Sequence, residues 1–321
     1  MKSEKYFNNP ISRISSLPLP EDRDEMLSLW QTTFQDSDEF ADMFFRRVYK
    51  PENTLVIKKD GKIVSALQMI PYDIKNGDDI IPSAYVCGVC TLTLERGKGY
   101  MKILMNEAMD FMRQKGYYIS TLIPAHPWLF EIYKKFGYIF PVNYSIERYN
   151  CKNNPKKPDT GNNQDDNDFS GYTFTTYADN FFPYFDKKQR ERQCAVLHNA
   201  YDIENILRDL IHDSGNIYIA IRENIPVGIA FARPDSEKEV AIKELFYDSV
   251  QIKKALIYHI LNIYDAETAK IRAPQQETPD KEINATLLST LNKKAFPYGL
   301  ACILDKRITG ITNLYMTLML D

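Results

Sequence analysis

The sequence has no long hydrophobic run and little cysteine. No stretch of about 18 uncharged apolar residues, the length a membrane-spanning helix needs, occurs in the chain. The first residues, MKSEKYFNNPISRISS, show neither an apolar segment nor a small-residue cleavage site. The five cysteines are an odd number and are scattered, which fits reduced thiols better than a disulfide framework. These absences predict a cytoplasmic protein that does not span a membrane.

An excess of positive charge is also lacking. The formal net charge is -3 and 26% of the residues are charged, so we expect neither nucleic acid nor an anionic membrane as a partner. Hydrophobic residues make up 44% of the 321 residues. This composition is typical of a globular protein, and the length predicts about two domains.

No metal-ligand pattern stands out. Cys87-x-x-Cys90 has no second CxxC and no nearby histidine pair, and it lies in an apolar strand pattern. Positions three apart on a regular strand face opposite sides, so core packing explains the two thiols better than redox or zinc chemistry. His198, His212 and His259 show no ligand spacing either. We therefore expect no metal.

A polar stretch divides the chain into two halves. Residues 150–171, NCKNNPKKPDTGNNQDDNDFSG, are almost free of apolar side chains and predict a linker or a mobile loop. We expect a first domain at 1–149, a second domain at 172–275 and a C-terminal segment at 276–321. The C-terminal segment is predicted to be a short α+β piece, with a helix end followed by strands.

The first half has an α/β pattern with a glycine turn in its middle. Two helices precede a hairpin at Asp60-Gly61, the dipeptide that a tight turn prefers. An apolar strand, the glycine turn, a long helix, a strand, a short helix and a last strand follow. The long helix is predicted from apolar residues recurring on one face: Met101, Leu104, Met105, Ala108, Met109 and Met112. The second half repeats part of this order without a glycine turn.

The glycine turn, Arg96-Gly97-Lys98-Gly99, lies between a strand and a helix. Helix N-termini stabilise anions, and glycine lets a ligand approach the main chain closely. Tyr100 and Met101 follow where a Walker A loop needs lysine and a hydroxyl residue, and Lys102 replaces the third glycine of a dinucleotide fingerprint. The residues alone leave two alternatives open, a phosphate site of another kind and a plain solvated turn.

Two motifs in the right order carry a resemblance to a known superfamily. Arg96-x-x-Gly99-x-Met101 after GVCTL resembles the [RQ]-x-x-G-x-[GA] pyrophosphate loop of the GCN5-related N-acetyltransferases (GNAT). Downstream, IYKKFGY at 132–138 resembles the YxxxGF/Y segment of the same superfamily. With its second half of similar pattern, the chain resembles the enhanced intracellular survival (Eis) type, which has tandem GNAT domains. Met101, where the family has Gly or Ala, is a departure that could narrow the cofactor groove.

The resemblance implies an α/β fold of tandem mixed-sheet domains, with acetyl-CoA as cosubstrate in the first domain and a degenerate second domain that shapes the acceptor pocket. It implies that the pyrophosphate lies on the turn, and that the pantetheine arm pairs with main-chain groups of the preceding strand, one N–H polarising the thioester. Trp128 would line the cofactor or acceptor pocket. The cofactor-binding residues implied are Val89, Cys90, Thr91, Arg96, Gly97, Lys98, Gly99, Tyr100, Met101 and Trp128.

The resemblance also implies direct attack by a primary amine of a small molecule or peptide, with Tyr133 as the general acid. The C-terminal carboxylates of Asp321 are one candidate base and His126 is another. A homo-oligomer is expected from the relatives. Two alternative functions remain at this point: a coenzyme A-binding sensor or scaffold without turnover, and a GNAT enzyme that uses another acyl donor.

Overall fold

The structure, a computed structural model, describes residues 14–150, 169, 171–176, 181–275 and 288–320. The chain divides into two compact units. The first unit holds residues 1–72, 81–139 and 300–309, and the second holds 73–80, 140–299 and 310–321. Nearly all of the predicted linker at 150–171, and Asp321, lie outside the described residues. The assignment of the cofactor site to the first predicted domain, and of the acceptor pocket to the second, stays a prediction.

The elements follow one another in an alternating α/β order. The first are α1 (Arg23–Thr33), α2 (Asp38–Arg47), β1 (Thr54–Lys59), β2 (Lys62–Asn76), β3 (Asp79–Thr91), α3 (Tyr100–Gln114), β4 (Ile119–Leu122), α4 (Leu129–Lys134) and β5 (Phe140–Asn150). The chain continues with β6 (Thr173–Thr175), α5 (Phe181–Glu191), β7 (Cys194–Leu197), α6 (Ala200–His212), β8 (Asn216–Arg222), β9 (Ile225–Ser236), β10 (Glu239–Tyr247), α7 (Val250–Ile263), β11 (Thr268–Pro274) and β12 (Leu288–Ile303).

The sheet of the first unit has the order β1-β2-β3-β4, followed by the end of β12. β1 and β2 form the predicted antiparallel hairpin, with Asp60 and Gly61 at positive φ. β3 and β4 are parallel and pair from Ser83–Ile119 to Val86–Leu122. β3 continues to Thr91 beyond this pairing. The two strands are therefore joined at one end, and the extension of β3 is left without β4 beside it.

Two apolar clusters cover the faces of this sheet. The α3 cluster contains the buried face of α3, which is the face that the sequence predicts: Leu104, Met105, Ala108, Met109 and Met112. Met101 is half-buried and packs against the same cluster. The Trp30 cluster contains the buried residues of the two N-terminal helices: Met26, Leu29, Trp30, Ala41, Phe44 and Phe45. Complete burial of a large apolar side chain contributes roughly 1.5–3 kcal/mol, so both helix layers are held to the sheet by packing.

The second unit contains a sheet of similar plan, with the order β6-β8-β9-β10-β11-β5. β10 and β11 are parallel and are connected by α7, just as β3 and β4 are connected by α3. The buried face of α7 packs into a core with Ile242 and Ile271 of these two strands. The mixed α/β fold with tandem units of one plan is therefore confirmed.

The C-terminal segment differs from its predicted form. The sequence pattern predicts a helix end near residues 295–299, but β12 runs as a strand through this region to Ile303. Its last residues, Leu300 to Ile303, pair antiparallel with β4, and Leu300 and Cys302 are buried in the α3 cluster. Pairing with a distant strand therefore determines the conformation here, and local pattern could not show it.

A buried histidine in the second unit predicts acid sensitivity. His198 is 2% exposed, and its Nε2 lies 2.8 Å from the carbonyl oxygen of Thr317. Burial lowers the pKa of His198 from 6.5 to about 4. In the unfolded chain His198 therefore becomes protonated below about pH 6.5, whereas in the folded chain it stays neutral until the pH falls to about 4. We expect the free energy of unfolding to fall by roughly 3 kcal/mol across this interval because of His198 alone.

Urea unfolding at a series of pH values measures this effect. The His198→Gln variant keeps a donor for Thr317 but does not titrate, so its stability should depend less steeply on pH between 6.5 and 4 than that of the wild type. His212→Gln, at an exposed histidine, is the control and should leave the slope unchanged. Equal slopes for wild type and His198→Gln would show that His198 is not the titrating group.

Candidate active site

The glycine turn at the N-terminus of α3 has open space above its main chain. Gly97 and Gly99 have φ values of 79° and 85°, in the left-handed region that glycine favours. A Cβ placed on either residue would have no atom within 4 Å. The first helical hydrogen bond runs from Ile103 N to Gly99 O at 3.2 Å, so the N–H groups of residues 100–102 precede the hydrogen-bonded turns. Such N–H groups, with the helix dipole, stabilise an anion.

The cations of the turn are held by local contacts. Glu95 accepts hydrogen bonds from Lys98 at 2.8 Å and from Lys59 at 2.9 Å, and these bonds lower the pKa of the Glu95 carboxyl. The Arg96 Nε donates to the carbonyl oxygen of Thr91 at 3.2 Å. All these contacts are at the surface, where a single ion pair is worth less than about 1 kcal/mol. Arg96 and Lys98 can therefore exchange them for a phosphate at little cost.

β3 is kinked at Gly88, just beyond its pairing with β4. Gly88 has a φ of 59° inside the strand. A Cβ at this position would lie 2.5 Å from Cζ3 of Trp30, and Trp30 is held in place by packing and by a 2.8 Å hydrogen bond from its Nε1 to Asp36. The left-handed conformation and the indole ring both require glycine here.

The kink corrects the expected placement of Cys87 and Cys90. Ala84, Val86 and Val89 all contact the α3 cluster, so the alternation of the strand slips by one residue at Gly88. Cys87 and Cys90 consequently pack against the same Trp30 cluster rather than on opposite faces. A β-bulge has this effect on a strand. Cys87 and Cys90 are packing residues, as the sequence predicts, but they pack on the same face of the sheet and not on opposite faces.

The pantetheine-binding segment predicted at residues 89–91 is partly accessible through Val89 and Thr91, while Cys90 is buried. Burial raises the pKa of the Cys90 thiol to about 12, so this cysteine is not a thiolate nucleophile at neutral pH. The Ser65 hydroxyl donates to the Cys90 carbonyl at 2.7 Å. The segment is thus anchored to β2, and its expected role rests on main-chain groups.

Tyr133, on α4, is 7% exposed and packs in the α3 cluster. Its ring meets that of Tyr138 edge-on, with 6.1 Å between centroids. Burial, with a smaller contribution from Cys87, raises the pKa of Tyr133 to about 12. No hydrogen bond joins its hydroxyl to another part of the described chain, whereas the Tyr138 hydroxyl lies 2.7 Å from Ser120 Oγ. Tyr133 therefore presents a protonated phenol whose O–H donates to no other residue of the described ranges.

The remaining predicted site residues are less constrained by the structure. Trp128 is 61% exposed and stacks on His126, with 6.3 Å between ring centroids. Tyr100 and Met101 begin α3 beside the turn. Asp321 lies outside the described residues. The roles of Trp128, His126 and Asp321 stay predictions.

The second unit has a different arrangement where its two parallel strands separate. α7 begins after Ser249, whose hydroxyl accepts from Ile252 N at 3.4 Å, and no glycine turn precedes it. Glu244, just beyond the last parallel pair, is 1% exposed and bonded by both terminal nitrogens of Arg192, at 2.6 and 2.7 Å. Charged side chains of the protein itself therefore occupy this position.

A cavity of about 670 Å³ adjoins this ion pair within the second unit. The Arg192 guanidinium forms part of its wall and stacks on Phe246 and Tyr315, at 4.5 and 4.4 Å from the ring centroids. The lining combines charged, amide and aromatic side chains. This cavity has room for a small molecule, but it lacks the helix N-terminal turn of the first unit.

The comparisons with known proteins agree with this geometry. The family model described as an acetyltransferase (GNAT) domain matches residues 16–140. Residues 16–140 are a GNAT acetyltransferase domain. The protein is thus an acetyltransferase, and its GNAT domain contains the turn, the kinked β3 and Tyr133. No curated protein matches the sequence significantly.

Solved structures resemble nearly the whole of this chain in fold. A probable N-acyltransferase from Enterococcus faecalis V583 has a TM-score of 0.72 at 16% identity, over 90% of this chain and 72% of its own. A GCN5-related N-acetyltransferase from Kribbella flavida has a TM-score of 0.69 at 17% identity, over 91% and 71%. Eis1 from Mycobacterium abscessus has a TM-score of 0.64 at 12% identity, over 91% and 74%. The likeness to Eis extends beyond the GNAT domain.

Two further findings concern the described part of this acetyltransferase. None of its helices is both long and apolar enough to cross a bilayer. Histidine, cysteine, aspartate and glutamate side chains form no group of three or more that could hold a metal ion within the described ranges.

Proposed function

We propose that the first unit transfers an acetyl group from acetyl-CoA to a primary amine of a small molecule or peptide, by direct attack of the amine. The observation that carries the proposal is the open turn at Gly97 and Gly99. Its left-handed glycines and its helix N-terminal N–H groups come directly after the strand extension that β4 no longer accompanies. A diphosphate and an extended thiol arm need such a pair of neighbouring features.

The residues of the turn would hold the pyrophosphate. The N–H groups at the start of α3 point out of its N-terminus, and Arg96, Lys98 and Lys102 add positive charge around them. The open space over Gly97 and Gly99 lets phosphate oxygens approach the main chain. Met101 packs its side chain against the α3 cluster, so it does not need to enter the groove.

The chemistry is then divided among few groups. Acetyl-CoA supplies an activated carbonyl and a thiolate leaving group. Main-chain N–H groups of residues 89–91 would bind the carbonyl oxygen, an oxyanion-type role. Tyr133 would give its phenolic proton to the leaving sulfur, and its hydroxyl, which bonds to no other described residue, supports that role. Removal of the proton from the amine is assigned to Asp321, with His126 as the alternative base.

Cofactor binding gives the first test. Acetyl-CoA at 100 times its Kd should stabilise the fold by about 2.7 kcal/mol and raise Tm by roughly 4–9 °C. Gly99→Val should abolish this shift, because a β-branched residue at a φ of 85° is strained and its side chain fills the open space where phosphate would lie. Differential scanning fluorimetry with and without acetyl-CoA measures both effects.

Gly116→Val is the matched control. Gly116 lies just after the other end of α3, with the same φ of 85° and the same open space around a Cβ. This variant should lose similar intrinsic stability yet keep the shift with acetyl-CoA. A wild-type protein that millimolar acetyl-CoA does not stabilise would contradict the proposal. A shift that survives in Gly99→Val would remove the turn from the site.

Release of free coenzyme A in the presence of a panel of amines tests the reaction itself. The panel should include polyamines, aminocyclitols, lysine peptides and small amino metabolites, because the residues do not select among primary amines. Release that depends on one class identifies the acceptor. Binding of acetyl-CoA without release for any amine would refute the proposed transfer, and release from a longer acyl-CoA only would replace the donor.

A further inference from the structure

Two lysines from distant parts of the chain meet at one carboxylate beside the glycine turn. Lys59 is the last residue of β1, and Lys98 lies inside the turn. Their Nζ atoms lie 2.9 and 2.8 Å from the two different oxygens of Glu95. The N–H of Leu92, just after β3, donates to the carbonyl oxygen of Val64 in β2 at 2.9 Å. This bond fixes the β1–β2 hairpin, and with it Lys59, beside the segment that leads into the turn.

The two ammonium groups are accessible to a ligand, whereas the carboxylate lies beneath them. The Glu95 side chain is 14% exposed, and the side chains of Lys59 and Lys98 are each 45% exposed. An ammonium group carries three N–H donors, and Glu95 takes one from each lysine. The other donors can therefore bind a ligand while both bonds to Glu95 stay in place. Two cations around one carboxylate give the cluster a net positive charge, so the ligand that fits it is an anion.

Acetyl-CoA brings two separate phosphate groups to this region. The main-chain N–H groups at the start of α3 suit the pyrophosphate, together with Arg96, whose Nε donates to the carbonyl oxygen of Thr91 at the end of β3. The 3′-phosphate is a monoester with a charge of about −1.5 to −2 at pH 7. It is carried by the same ribose as the pyrophosphate, so it lies within one sugar ring of the turn. The lysine pair offers this dianion a second set of donors.

We propose that Lys59 and Lys98 bind the 3′-phosphate of the coenzyme A donor, while Glu95 holds both ammonium groups in position. This role rests on the proposed function. It makes the 3′-phosphate a determinant of donor choice, because a thioester of phosphopantetheine on a carrier protein has no 3′-phosphate for the lysines to bind. Lys59 belongs to neither of the two motifs of the sequence, and only the hairpin brings it to the turn. The first unit therefore selects free coenzyme A thioesters.

Calorimetric titration with acetyl-CoA and with acetyl-dephospho-CoA, which lacks only the 3′-phosphate, tests the role without turnover. For the wild type, the Kd of acetyl-dephospho-CoA should be at least about tenfold higher, because two charge-assisted hydrogen bonds are lost. Lys59→Gln should raise the Kd of acetyl-CoA about fivefold and change that of acetyl-dephospho-CoA less than about twofold. Lys59 is at the surface, so the variant should fold as the wild type does.

Lys115→Gln is the matched control, because it removes the same charge from the exposed C-terminal end of α3. The 15 residues of α3 span roughly 22 Å, more than twice the screening length of about 8–10 Å. Both Kd values should therefore stay as in the wild type. Equal wild-type Kd values for the two ligands, or a Lys59→Gln variant that weakens both ligands equally, would overturn the inference alone. A wild type that binds neither ligand would refute the proposed function as well.

The ³¹P signals of bound coenzyme A give an independent readout of the contact itself. The 3′-phosphate monoester gives a signal separate from that of the pyrophosphate, and its second pKa is about 6 in the free state. This pKa should fall on binding, because the two ammonium groups stabilise the dianion. The fall should be smaller in Lys59→Gln and unchanged in Lys115→Gln. A bound 3′-phosphate that titrates in the wild type as it does in free coenzyme A would overturn the inference.

Discussion

Replacement of Tyr133 by phenylalanine is expected to lower kcat by about 10²-fold while leaving acetyl-CoA binding intact. A general acid contributes roughly 10² to 10⁴ in rate. The Tyr133 hydroxyl makes no hydrogen bond to another described residue, so its removal should cost the fold little. Steady-state kinetics with the best amine, and the thermal shift with acetyl-CoA, separate the two effects.

Tyr138→Phe is the matched control on a neighbouring ring. Tyr138 is fully buried, and its hydroxyl lies 2.7 Å from Ser120 Oγ. Removing this hydroxyl should cost about 1–2 kcal/mol of stability, because Ser120 is left without its partner, yet it should not change kcat. Unchanged turnover in Tyr133→Phe would exclude Tyr133 as the acid. A kcat lowered equally in both variants would indicate a packing effect.

The raised pKa of Tyr133 also predicts how the activity should depend on pH. Burial raises this pKa to about 12, so the phenol keeps its proton, the catalytically useful form, throughout the range from pH 6 to 10. The activity should therefore rise with pH as the amine acceptor loses its proton, with no falling limb caused by Tyr133. A falling limb that disappears in Tyr133→Phe would contradict the assigned protonation state.

Replacement of Arg192 by methionine is expected to destabilise the second unit by about 3–5 kcal/mol. Arg192 and Glu244 are 11% and 1% exposed and form a bidentate ion pair. Without the guanidinium, the buried Glu244 carboxylate still accepts a hydrogen bond from the main-chain N–H of Leu245 at 2.9 Å, but the cation that balances its charge is gone. Breaking a buried pair from one side leaves such an uncompensated charge, which is why the cost is large.

Two further variants distinguish this mechanism from a loss of packing. Arg190→Met, on the same stretch of chain, breaks an exposed pair with Asp186 and should cost less than about 0.5 kcal/mol. The double variant Arg192→Met/Glu244→Leu removes both charges and should recover most of the stability. Chemical denaturation followed by tyrosine fluorescence or circular dichroism measures all three. A double variant as unstable as Arg192→Met would point instead to lost stacking of Arg192 on Phe246 and Tyr315.

The two units differ in the contacts they make where their parallel strands separate. In the first unit, the open turn leaves helix N–H groups for a ligand. In the second unit, a serine cap precedes α7, and the ion pair of Arg192 with Glu244 occupies the place where the parallel strands part.

Local patterns in the sequence were sufficient to predict much of the fold of this protein. The Asp60-Gly61 hairpin, the buried face of α3 and the turn at Gly97 and Gly99 depend on residues within a few positions of one another. Periodicity and φ preference express the same short-range sterics in the chain and in the fold. For this reason the α/β order, the repeat of the plan and the position of the open glycine turn before α3 could all be predicted.

Tertiary structure alone decided the features that join distant parts of the chain. The kink at Gly88 packs against the indole of Trp30, and it places Cys87 and Cys90 on one face. The strand form of β12 depends on β4, and the burial of Glu244 depends on Arg192. Such contacts arise only when packing brings remote segments together, so no local pattern records them.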